Sequence, residues 1–347
     1  MQRLNFFTTN LFLLLKVQSN ETSKVFKTSE VLALNQNYLN FLSKPFLFYC
    51  LAFLLLVLSS CTPDDQQQFI FIGHAYDWKA EQGNRVDPRI AELDLSPYEQ
   101  IWLGGDICSR TSEDQATLDY LDQLFKISSP TTHWALGNHD INKGDKNRIA
   151  QKTKRPSYYI AQHDAISILV LDTNWGHPQI KVQDDSLTRC TQINQQYQLL
   201  KTLADTISQS KYLVVLHHHA LLTNELADNQ IKVGDVFHYV LTALPFSCTP
   251  SGNFQELAYP LLKQVQNKGI QVILIGGDFG QRAKRFEFQN KDGIWFLGSG
   301  INNSMDPKYQ PDYVTNLNPD SILIFDYDTS SKELGWRFEP LGKDFEN

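Results

Sequence analysis

His133-Trp134-Ala135-Leu136 is a short apolar run, and Gly137-Asn138-His139-Asp140 closes it at once. A core strand that turns at a glycine and then delivers an amide, an imidazole and a carboxylate brings polar groups where burial penalises them unless something binds there. Asn, His and Asp also suit ordinary turns through their own local hydrogen bonds, so one such ending decides nothing. What decides the reading is that the same event recurs along the chain.

Phe69-Ile70-Phe71-Ile72 has no alternation, as expected of a strand buried on both faces, and ends at Gly73-His74-Ala75-Tyr76-Asp77. Ile101-Trp102-Leu103 ends at Gly104-Gly105-Asp106, and the run from Ala165 to Leu171 ends at Asp172-Thr173-Asn174. Tyr212 to Leu216 ends at His217-His218-His219, and Val272 to Ile275 ends at Gly276-Gly277-Asp278-Phe279-Gly280. Between these strands, Thr117–Phe125, Ile193–Ile207 and Leu257–Val265 carry helical spacing of apolar residues. Ile294–Leu297, Ser321–Tyr327 and Leu334–Phe338 read as further strands. Strands alternating with helices predict an α/β fold, and in open α/β sheets ligands bind at the carboxyl ends of the strands. All the polar endings would then face one rim.

The 347 residues suffice for one large domain. A formal net charge of −7, with no basic block, argues against a nucleic-acid partner. There is no nucleophile elbow, phosphate-binding P-loop or dinucleotide-binding glycine pattern.

The N-terminus reads separately. Phe46 to Leu58 is nearly continuously apolar, follows Lys44 and precedes Ser59-Ser60-Cys61. It is too short to span a bilayer comfortably and fits the apolar core of a secretory signal. Leu58-Ser59-Ser60-Cys61 resembles a bacterial lipoprotein box, in which Cys61 takes lipid and becomes the mature N-terminus. Residues 1–61 are then an N-terminal extension plus signal, 62–68 a polar tether and 69–345 the folded domain. The expected place is the bacterial envelope, lipid-anchored to the outer membrane on its periplasmic or surface face. The residues ahead of the signal reflect either a reading frame opened too early, with the true start near Leu39, or a genuine extension. Of the five cysteines, Cys50 leaves with the signal. Cys190 and Cys248 either pair across a long insertion or stay reduced, and Cys108 is expected as a small buried hydrophobe.

The strand endings resemble those of the calcineurin-like metallophosphoesterases, from about Phe69 to Phe338. That family supplies D-x-H, G-D, G-N-H-[DE], a histidine after a strand, and G-H-x-H. Gly105-Asp106 matches the second block and Gly137-Asn138-His139-Asp140 the third without change. His217-His218-His219-Ala220 resembles the fourth, with Ala220 in the place of a frequent proline, which makes His218 the expected ligand and His217 the fallback. The first and fifth blocks depart: His74-Ala75-Tyr76 stands for D-x-H and Gly277-Asp278-Phe279-Gly280 for G-H-x-H. Sliding the first block by one residue would put Gly73 and Ala75 at the ligand positions, so the register that keeps His74 and Tyr76 is preferred.

The resemblance implies a two-sheet sandwich flanked by helices, with the site at the C-terminal ends of the strands. It implies one divalent metal (Mn, Fe or Zn) held by Asp106, Asn138, His218 and Asp278. A second, weaker site would use Asp106, His74 and Tyr76 as phenolate, with nothing from Gly280; Asp77 is a possible substitute. His139 would be catalytic, donating to the leaving oxygen, and Asp140 would either orient it or cap the following turn. Asp172-Thr173-Asn174 is expected to be structural, behind the site. His133 and His163 are expected as satisfied or surface histidines, and Trp78 or Trp175 as core or as cleft lining. Two functions are open. One is a metal-dependent hydrolase of a phosphate mono- or diester, acting on a phosphorylated small molecule or an envelope phosphoester. The other is a binding protein that kept the fold and lost the chemistry.

Overall fold

Unbroken apolar runs need both faces covered, and the chain meets that need with two sheets packed face to face between helices. The computed structural model describes residues 65–77, 80–176, 186–222, 254–278, 285–299, 301 and 320–342. They lie in the compact unit Asp64–Asn347.

β1 (Gln66–Ile72) pairs in parallel with β2 (Tyr98–Leu103), which pairs in parallel with β3 (Thr132–Trp134). On its other side β1 runs antiparallel to β10 (Ser321–Asp328), itself antiparallel to β11 (Glu333–Pro340). The first sheet therefore has the order β11-β10-β1-β2-β3. The second contains β4 (Tyr159–His163), β5 (Ile166–Val170), β6 (Tyr212–His217), β7 (Gln271–Gly276), β8 (Phe286–Gln289) and β9 (Trp295–Gly298). Its order is β4-β5-β6-β7-β9-β8, with β5, β6, β7 and β9 mutually parallel.

Side-chain alternation sorts the apolar residues into three layers. Phe69, Phe71, Trp102, Ile168, Val214, Ile273 and Phe325 fill the space between the sheets. Ile70 and Ile72 turn the other way, onto α2 (Gln115–Phe125) through Leu118, Leu121 and Phe125. Asp114 caps α2 by accepting from the Thr117 amide at 2.7 Å. On the far side, Leu213, Val215, Val272 and Leu274 meet α5 (Ser186–Thr206) and α6 (Phe254–Asn267). Among the described residues there are also three short α-helices, α1 (Pro88–Ala91), α3 (Asn138–Ile141) and α4 (Lys146–Thr153).

The two-sheet α/β architecture agrees with the sequence reading. The expectation of a tether over 62–68 fails at its last three residues. β1 begins at Gln66, and Gln66, Gln67 and Gln68 pair with Asp328, Tyr327 and Asp326 of β10. Gln66 and Gln68 also donate side-chain bonds to Asp328 and Asp326, so a polar stretch is stranded by its neighbour rather than by burial. Cys108 is buried and free, and Cys190 is disulfide-bonded. Cys248, Cys61, Leu39, Trp78, Gly280 and the apolar run 46–58 lie outside the described residues. Among the described residues, no helix is long and apolar enough to cross a membrane.

The sheets meet at the carboxyl ends of their strands. A Cβ at Gly277 would lie 1.7 Å from the Gly104 carbonyl oxygen, and one at Gly104 would lie 2.7 Å from Gly277 Cα. Only glycine allows β2 of one sheet and β7 of the other to approach this closely, and that approach brings the polar endings together.

Candidate metal centre

Asp106 stands at the middle of the rim. Its backbone is left-handed (φ 53°), as is that of His74 (φ 54°), an uncommon conformation for residues other than glycine. The Asp140 carboxylate holds this turn. Its Oδ2 accepts from the amides of Asp106 (2.9 Å) and Gly137 (2.8 Å) and from the Trp134 indole (3.3 Å). Its Oδ1 accepts from the Ile107 amide (3.1 Å) and the Thr111 hydroxyl (2.6 Å). Asp140 thus caps α3 and shapes the Asp106 turn, and none of these five bonds comes from the His139 ring. Burial, followed by the neighbouring Asp106 charge, pushes the Asp140 carboxyl above its usual range.

Asp106 itself accepts from the His139 amide through Oδ1 at 2.7 Å. Its Oδ2 lies 3.4 Å from Nε2 of His218 and 3.5 Å from Nε2 of His74. Burial opposes ionisation of Asp106, but His218 and then His139 overcome it and hold the carboxyl well below its ordinary value.

His218 is fully buried. Its Nδ1 lies 2.7 Å from the Gly104 carbonyl oxygen, which can only accept, so Nδ1 carries the proton and donates. Nε2 has no hydrogen-bond partner and faces Asp106 Oδ2 and, at 3.5 Å, Asp278 Oδ1. A bare lone pair facing two carboxylate oxygens is repulsive unless a proton or a cation joins them. Burial lowers the basicity of the ring, yet Asp106 and Asp278 raise it further, to about 10. Burial in turn pushes the Asp278 carboxyl up, against the pull of His218.

Donor atoms of His218, His219 and Asp278 lie within 4.8 Å of one another, and so do those of His74, Asp106 and Asp278. These electron-rich groups, buried except for a partly exposed Asp278, fit a divalent cation in kind and spacing. Asp278 takes part in both groups, so a carboxylate from the fifth block joins the two halves alongside Asp106.

The His74 half is differently made. Burial above all lowers His74 to about 3, which keeps the ring neutral, and a backbone bond with Ile301 steadies it. The Tyr76 ring packs on His74 (4.7 Å between centroids) and on His139 (5.0 Å). Burial, then Asp106 and Asp278, push its hydroxyl well above the ordinary tyrosine value, which holds it as a neutral phenol in the absence of a cation.

Asn138 opens α3, and its Oδ1 lies 3.1 Å from Nε2 of His219. His139 is half-buried, with Nδ1 3.3 Å from the Ser109 carbonyl. The structure therefore gathers Asp106, Asn138, His218, Asp278, His74 and His139 at one rim, with Tyr76 against the two histidines at its edge.

Behind it, Asn174 donates to the Leu136 carbonyl (2.8 Å) and to Asp172 (2.9 Å), and Gln196 brackets the Asp172 backbone. Trp175 is core, packed on Phe254. His133 and His163 meet Tyr159 (3.2 Å) and Gln67 (2.8 Å). Thr173, expected as structural, contacts both the amide and Nδ1 of His219 through its hydroxyl, and sequence reasoning missed His219 itself. The signal was present as three consecutive histidines at one strand end.

No curated protein matches the chain. It is similar to the solved structure "GAP50 the anchor in the inner membrane complex of Plasmodium" at 12% identity, covering 81% of this chain and 90% of that one, with a TM-score of 0.42. Residues 89–243 match the family model described as calcineurin-like phosphoesterase, so that stretch is similar to the calcineurin-like phosphoesterases.

Proposed function

We propose that this protein is a metal-dependent hydrolase of a phosphate mono- or diester. The observation that supports it most is the convergence of Asp106, His218 and Asp278 around a partnerless, buried Nε2. A cation would be held there by Asp106, Asn138, His218 and Asp278, with His74 on the far side of Asp106. When bound, it would supply Lewis-acid charge for a phosphoryl group and lower the pKa of nearby water.

The chain's own residues do the rest. Gly104 fixes the His218 tautomer, so that Nε2 faces the carboxylates. Asp140 holds Asp106 in its left-handed turn, and the α3 amide at His139 orients the Asp106 carboxylate. With Nδ1 directed at Ser109, His139 presents Nε2 to protonate the leaving oxygen. The neutral Tyr76 ring shields one side of both histidines.

A non-catalytic binding role is the second reading. It is favoured by the first block, where a neutral imidazole and a neutral phenol stand in place of a carboxylate and a histidine. Purified protein assayed on bis-p-nitrophenyl phosphate and p-nitrophenyl phosphate with added Mn separates the two. Turnover that Asp106→Asn removes supports the hydrolase; no turnover under any divalent ion, with metal content near zero, supports the binding protein.

Lipid attachment at Cys61, and with it an envelope location, belongs to the same proposal and rests on the apolar run 46–58 followed by Leu58-Ser59-Ser60-Cys61. Mass spectrometry of the mature N-terminus tests it: a diacylglyceryl mass on Cys61 is expected, and a free residue upstream of Cys61 contradicts it.

A further inference from the structure

The fifth block lacks both family histidines, and the structure supplies a donor from the neighbouring strand. β6 ends in three histidines with different surroundings. His217 directs Nδ1 to the His219 carbonyl (2.8 Å), and His218 faces Asp106 and Asp278. The His219 ring stands edge-on to His218, with centroids 4.6 Å apart, and reaches toward α3.

The surroundings of His219 resemble those of a metal-binding histidine. Its backbone amide donates to Thr173 Oγ1 at 3.0 Å, and Nδ1 lies 3.1 Å from the same oxygen. A hydroxyl oxygen has two lone pairs and can accept from both. Nδ1 then carries the proton, and Nε2 is left with a lone pair directed to Asn138 Oδ1 at 3.1 Å. Two acceptors at that distance repel, as do the His218 and Asp278 donors beside them, unless a cation is common to all. Metal-binding histidines are commonly fixed in this way, by an oxygen on the ring nitrogen that faces away from the metal.

We infer that His219 is itself a ligand, so that the divalent cation is held by Asp106, Asn138, His218, Asp278 and His219, with Thr173 fixing the His219 tautomer. The imidazole absent at position 278 is thereby replaced from position 219, a substitution particular to this chain. The inference rests on the metal-dependent reading above and adds one residue to it. In the opposite tautomer the Thr173 hydroxyl donates to Nδ1, and Nε2–H donates to Asn138; His219 is then a positioning residue only.

Cobalt(II) titration of the metal-free protein, followed by visible d–d absorption, distinguishes these. His219→Ala is expected to weaken cobalt binding by at least about tenfold and to change the band positions and intensities, because a nitrogen donor is lost. His219→Gln keeps a donor for Asn138 and is expected to behave like the alanine variant. Unchanged affinity and spectrum in His219→Ala, or a wild-type spectrum in His219→Gln, overturns the inference. If His219→Ala does not fold, Thr173→Val is expected to weaken binding by about tenfold while Thr173→Ser does not; equal binding by both overturns it as well. Cobalt binding by wild type that is untouched by His219→Ala defeats this inference alone. Wild type that takes up no cobalt, zinc or manganese and cleaves no phosphoester defeats the metal-dependent reading with it.

Discussion

His218 Nε2 lies 3.4 Å from Asp106 Oδ2, while Nδ1 of the same ring is committed to the Gly104 carbonyl at 2.7 Å. The ring can therefore neither turn away from the carboxylate nor offer it the other nitrogen. Without a cation it keeps a proton on Nε2, and its pKa is raised from 6.5 to about 10. A cation must displace that proton, so metal affinity rises with pH throughout the range below about 10. Between pH 7 and 9 each unit should strengthen binding by about tenfold, with about one proton released per ion. Isothermal titration in buffers of different ionisation enthalpy measures both quantities. Affinity that does not vary with pH would show that His218 is not a ligand.

Asp140 receives five donors on two oxygens, three of them backbone amides of the Asp106 and Gly137 turns. Asp140→Asn keeps one acceptor oxygen and turns an NH2 group toward at least two N–H or O–H donors. The metal-free variant should lose about 2–4 kcal/mol in urea denaturation, the cost of leaving buried donors unsatisfied. A loss below about 1 kcal/mol would mean that the turn does not depend on this carboxylate.

Gly277→Ala puts a methyl 1.7 Å from the Gly104 carbonyl oxygen, which can escape only by parting the two sheets. It should cost about 3 kcal/mol or more, or prevent folding. At Gly335 of β11 no atom lies within 4 Å of an added Cβ, so Gly335→Ala should stay within about 0.5 kcal/mol of wild type or stabilise slightly. Thermal melts of the two variants side by side decide the matter; equal melts would contradict the close approach of β2 and β7.

Strands buried on both faces write themselves plainly in sequence, and β1, β2, β5, β6 and β7 were legible for that reason, as were the polar residues at their ends. β4 was not, because Tyr159–His163 alternates between half-buried and exposed residues and gains its place only by pairing with β5. Gln66–Gln68 read as tether because glutamine has little strand preference; the pairing with β10 comes from a segment some 260 positions away. Asp140 left two roles open, since its donors belong to a turn that sequence spacing cannot place. His219 was invisible as a site residue because only the register of β6 against the other strands tells which of three histidines faces Asn138.

Asp278 belongs to both groups of converging donors, and position 280 offers no side chain able to bind a metal. Asp278→Ala should therefore lower the metal content of the purified protein well below that of Gly280→Ala, by elemental analysis. Equal metal content in the two would mean that the fifth block has been assigned wrongly.

Anomalous diffraction from crystals soaked in manganese locates the cation without reference to activity. A peak within coordination distance of Asp106 Oδ2, His218 Nε2 and the Asp278 carboxylate is the predicted result. A peak elsewhere on the molecule, or none at full soak concentration, would contradict the metal centre and the phosphate chemistry proposed for it.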